Sequence, residues 1–100
     1  MRKLRPTLRD SKECGLNYQQ TYFRILQAVS TRRGLLHGIL EDYRGRTCAV
    51  GAYFREANTP IDNVAIDEIA AYNDSFPKLS HHERWCKVIS WLRMRVRAAP

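Results

Sequence analysis

TCAVGAYFREA, residues 47–57, is the stretch on which the fold class turns. Cys48, Ala49, Gly51 and Ala52 are small enough to let two backbones approach closely, and Thr47 can cap a helix start. Read this way, the segment is a short helix and the chain is all-α. A buried strand of the same length is the alternative, because periodicity does not separate the two over so few residues.

Upstream, NYQQTYFRILQAVSTRRG (17–34) carries Tyr18, Tyr22, Ile25, Leu26 and Val29 at i, i+4, i+7, i+8 and i+11, one face of a helix. Asn17 can cap it, Arg32 and Arg33 suit its negative end, and Gly34 can take the left-handed stop position. LLHGILEDY (35–43) reads as a turn or a second short helix weakened by Gly38.

Downstream, TPIDNVAIDEIAAYNDS (59–75) has Thr59 as cap, Pro60 at the first helical position and Asp62 at the capping-box site. Ile61, Val64, Ala65, Ile69, Ala71 and Tyr72 are expected on its inward face, and Pro77 blocks continuation. In the last segment Ser80 and Glu83 form a second capping box. Trp85, Val88, Ile89, Leu92 and Val96 then repeat as an amphipathic helix of about four turns. The expected fold is a single all-α domain of three or four packed helices, 17–100, behind a basic N-terminal arm, 1–16. Its core is expected to draw on Tyr22, Ile25, Leu26, Val29, Cys48, Val50, Ile69, Tyr72, Trp85, Val88, Ile89 and Leu92.

Composition narrows the class. At 100 residues and 44% hydrophobic, with 5 Gly and 4 Pro, the chain suits one globular domain rather than a disordered tail. No apolar run approaches the roughly 20 residues of a membrane span, and the basic N-terminus lacks the apolar centre of a signal peptide. The cytoplasm is the expected location. Cys14, Cys48 and Cys86 are odd in number and widely spaced, which suits reduced thiols.

The net charge of +7 is unevenly placed. Arg2, Lys3, Arg5, Arg9 and Lys12 crowd the arm, and Arg84, Lys87, Arg93, Arg95 and Arg97 crowd the last helix. Between them, residues 56–77 hold Glu56, Asp62, Asp67, Glu68 and Asp74 and no Lys or Arg. Such a field favours a polyanion or an acidic protein surface as partner.

Cys48-Ala49-Val50-Gly51-Ala52 and Tyr72-Asn73-Asp74, in this order between an N-terminal and a terminal helix, resemble a group of short bacterial and phage proteins. Their pattern is Cys-Ala-Leu-Gly-Ala followed by a helix ending in Leu-Asn-Asp. The resemblance spans roughly residues 18–97 and implies a compact, mostly helical domain with no particular activity. The basic arm and the very basic last helix depart from the group.

Four constellations bear on chemistry. Cys48 as a nucleophile needs a base such as His37, His81 or His82, with Asn73 or Asp74 orienting it. Its Ala and Gly neighbours instead suit packing, and no catalytic residue is assigned. His82 and Cys86 have a two-ligand spacing but lack the close partners that a zinc site needs, so neither metal nor cofactor is expected. Asp67 and Glu68 diverge around a helix and, with Glu56 and Asp74, read as a solvated acidic face that can match a basic partner or the protein's own basic helix. Arg84, Lys87, Trp91 and Arg95 fall at i, i+3, i+7 and i+11, about 100° around from the apolar face.

That basic stripe, aided by Arg2, Lys3 and Arg5, is the expected binding surface for nucleic acid or an acidic protein surface. The chain is accordingly read as a non-enzymatic accessory or regulatory protein of the kind phage and mobile elements encode, able to self-associate. An inhibitor or adaptor of a larger protein is the alternative, and a Cys-dependent enzyme a more distant one.

Overall fold

In the computed structural model the described residues, 15–98, form four α-helices: α1 (Tyr18–Ser30), α2 (Ala49–Glu56), α3 (Asn63–Asp74) and α4 (His81–Ala98). The deciding stretch is therefore helical. Cys48 caps it instead of Thr47, its sulfur accepting the amide of Gly51 at 3.4 Å. Five consecutive residues, Ala49 to Tyr53, are buried, so α2 passes through the core rather than lying on it. A side chain at Gly51 would place a Cβ 2.0 Å from the carbonyl oxygen of Leu40, which explains the glycine by close approach.

α1 starts at the expected cap, Asn17, which accepts from the amide of Gln20; Gln20 reaches back to the amide of Asn17 and completes a capping box that was not expected. It stops earlier than expected, at Ser30, because the Thr31 hydroxyl and amide both donate to the Ala28 carbonyl. Gly34 is not the left-handed stop. Its place is set by α4: a Cβ there would lie 3.0 Å from the Cβ of His81, beside the bond from the Leu35 amide to the His81 carbonyl.

Residues 35–47 form neither a helix nor a simple turn. Leu35 and Leu36 are buried. The chain then leaves the core in a loop that returns through an isolated antiparallel bridge between Glu41 and Thr47. Asp42 organises the tip by accepting from the amides of Arg44 and Arg46, and Gly38 and Gly45 supply the positive φ that the loop requires.

α3 begins at Asn63, later than the Thr59–Pro60 signal suggests. Asp62 is the cap, accepting from the amide of Ala65, while its own amide donates to the Thr21 hydroxyl. Pro60 lies outside the helix, where its carbonyl takes the amide of Leu16. Leu16, the last residue of the expected arm, is thus already packed against the core. α4 opens on the Ser80–Glu83 capping box as expected.

α1 is central, touching the other three helices. It runs antiparallel to α4: the Trp85 indole N–H donates to the Val29 carbonyl at one end, and Arg95 meets Tyr18 at the other. Tyr22, Ile25, Val29, Cys48, Val50, Ile69, Val88, Ile89 and Leu92 are buried as expected, while Leu26, Tyr72 and Trp85 are partly buried at the edge of that core. Ala49, Ala52, Tyr53, Leu35 and Ala65 join them. Val64 is exposed and Ile61 is buried just before the helix, so the inward face of α3 is narrower than the sequence implies.

Candidate functional site

The stripe expected on α4 divides when it is placed in three dimensions. Arg84 leaves it altogether. Its residue is 1% exposed, and its guanidinium donates to the carbonyls of Leu35, Phe76 and Leu79 at 2.9, 2.6 and 3.1 Å. Two irregular segments, before α2 and before α4, thus end on one cation, so Arg84 is a strut and not a contact residue. The signal is present in the spacing, since Arg84, Val88 and Leu92 form an i, i+4, i+8 row and the last two are core residues.

Trp91 and Arg95 are half buried in an aromatic wall. Trp91 stacks on Tyr72 at 4.3 Å with the rings 7° from parallel, and meets Tyr22 edge-on. The Arg95 guanidinium sits over Tyr22 and Trp91, 4.8 and 5.4 Å from the ring centres. It also pairs with Glu68 at 3.3 Å. Glu68 accepts in addition from the hydroxyls of Tyr18 and Tyr22, and these bonds, with Arg95, hold its carboxyl below the usual carboxylate range. Burial and the bond to Glu68 push the Tyr22 phenol far up. Lys87 alone of the four stays exposed, its ammonium 5.9 Å from the centre of the Phe76 ring. Beside these residues runs an open groove of about 650 Å³, bordered by Tyr72, Cys86, Lys87, Trp91 and Met94. Arg2, Lys3 and Arg5 lie outside the described residues.

The acidic middle is largely occupied inside the molecule. Glu68 holds Arg95, Asp62 caps α3, Asp74 accepts from the Gly38 amide and the Asn73 side chain, and Glu56 takes the Thr31 hydroxyl. Glu41 and Asp42 pair with Arg55 and Arg46. Glu56, Asp67 and Asp74 are nonetheless exposed, as a solvated acidic face requires, and Glu68 matches the protein's own basic helix through Arg95.

Cys48 stands at a helix start, the position that favours a thiolate, yet burial dominates and its thiol is pushed up despite the bond from Gly51. It is a packed cap. The Cys86 sulfur lies 3.5 Å from His82 Nε2, and no third His, Cys, Asp or Glu joins them in a metal-ligating group among the described residues.

The two motifs behind the resemblance meet in space. Asn73, fully buried at the end of α3, accepts from the Ala49 amide at 3.2 Å and donates to the Leu36 carbonyl at 2.8 Å. Its sequence setting marks it as a helix stop or as a residue orienting a base for Cys48. The two partners that tie it to other segments are 24 and 37 residues away, and no local pattern points to them. No family model, curated protein or solved structure matches the chain.

Proposed function

We propose that this chain is a non-enzymatic accessory or regulatory protein that binds nucleic acid through the basic side of its last helix. The observation that supports it is an imbalance of partners. The carboxylates are mostly engaged within the fold, whereas Arg24, Arg33, Lys87, Arg93 and Arg97 are exposed with no carboxylate partner among the described residues. Cations left over in this way, on and beside one long helix, suit a regularly charged polyanion.

The test is a fluorescence-anisotropy titration with labelled single- and double-stranded DNA and RNA at low and physiological salt. Binding that survives physiological salt and weakens log-linearly as salt rises is the expected result. No binding to any of the four at low salt rejects the reading.

A second reading, an inhibitor or adaptor of a larger protein, is favoured by the loop over residues 37–47. It holds Ile39 and Leu40 more than half exposed and Tyr43 at 89% exposure, with Arg44 set against the Tyr43 ring. Tyr and Arg are the residue types that most often anchor protein interfaces.

A further inference from the structure

We infer that the seam where the end of α1 meets the side of α4 is a track for the backbone of a single-stranded nucleic acid, an assignment that rests on the nucleic-acid reading above. Two adjoining concavities, of about 450 and 170 Å³, share Arg32 and Arg33. The larger is completed by Arg93 and Trp85 of α4, the smaller by His81 and Arg46. The cations are thus spread along a line and not gathered at one point, as successive phosphates require.

The ordinary reason for cations here is the negative end of α1, and that end is already served. The Leu26 carbonyl accepts from the Ser30 hydroxyl, Ala28 from the amide and hydroxyl of Thr31, and Val29 from the Arg32 amide and the Trp85 indole. The Arg33 carbonyl meets a ring nitrogen of His82 at 2.9 Å. The guanidinium groups of Arg33 and Arg93 meet no acceptor among the described residues. Arg32 and Arg46, by contrast, are tethered to the Gly45 carbonyl and to Asp42. Two carboxylates lie near the seam: Asp42, which pairs with Arg46, and Glu56, which takes the Thr31 hydroxyl.

The seam also offers a ring face. His82 is exposed and stacks on Trp85, 5.6 Å between ring centres and 22° from parallel. An unpaired base can stack on the free side of such a pair, whereas a duplex keeps its base faces covered, which selects a single strand.

The test uses the full chain and a fluorescent oligothymidylate of about 12 nucleotides, with its duplex as comparator. The parent is expected to prefer the single strand. R33A/R93A is expected to weaken it at least about tenfold and to flatten the salt dependence by about 1.4 in slope, because two fewer phosphates are neutralised. K78A, an exposed cation away from the seam, is expected to bind as the parent does. H82A is expected to narrow the preference for single strand over duplex. Circular dichroism checks that each variant is folded. Preference for duplex, or single-strand binding that R33A/R93A leaves unchanged, overturns the track while the nucleic-acid reading stands. Absence of binding by the parent to every nucleic acid removes both.

Discussion

The two flanks of α4 carry the same pair of residue types and treat them differently. On one, Trp91 and Arg95 face α1 and α3, and Glu68 of α3 receives the arginine together with two tyrosine hydroxyls. On the other, Trp85 spends its indole N–H on Val29, and Arg93 has no acceptor among the described residues. A Trp and an Arg within eight residues of each other on one helix are therefore not in themselves a binding surface. What separates the flanks is whether a carboxylate from another helix arrives, and only tertiary structure decides that.

The comparison breaks most completely at Leu92, which lies between the flanks and is fully buried. Leu92→Asp puts an unpaired charge in the core at a cost of several kcal/mol. It is expected to abolish the cooperative melt seen by circular dichroism, and an unchanged melt would mean that α4 faces the other way. Next in size is a contrast between two arginines of the same helix. Arg84→Ala strands three loop carbonyls and is expected to cost about 3 kcal/mol in urea unfolding, whereas Arg93→Ala is expected to stay within about 0.5 kcal/mol. Equal losses would put Arg84 at the surface.

The smallest effect concerns the paired flank alone. Glu68→Gln is expected to cost about 0.5–1 kcal/mol at neutral pH, because its ion pair is partly exposed and screened. The Glu68 carboxyl is depressed in the folded state. Its contribution is therefore complete above the unfolded carboxylate value, about 4.3, and is lost as pH falls through the lower folded one. Melting temperatures of parent and Glu68→Gln should accordingly converge in acid, and a gap that persists below that window would assign the loss to packing.

Much of the fold is legible where the cause is local. The cap at Asn17, the capping box at Ser80 and the apolar rows of α1 and α4 follow from residues three and four apart, and they lie where the spacing predicts. The short segments are less legible because their partners are remote. Thr59–Pro60 has every local mark of a helix start, but the bonds from Leu16 and Tyr53 to the Pro60 and Thr59 carbonyls hold it outside α3. The candidate site divides in the same way. Lys87 lies on the surface, as its spacing implies, whereas Arg84 and Arg95 are claimed by carbonyls and a carboxylate that lie distant in sequence or beyond the helix start.

Asn73 has one more consequence. By holding Leu36 and Ala49 through a single side-chain amide, it fixes the two ends of the intervening chain independently of what lies between them. The exposed tip of that loop, around Tyr43, is in that sense a place for foreign sequence. A flexible peptide spliced between Tyr43 and Arg44 would lengthen a loop whose base is already closed, and each doubling of its length adds only about 0.6 kcal/mol of closure entropy. The same amide that knits the core together makes this edge of the molecule a place where new sequence can be carried without rebuilding the old.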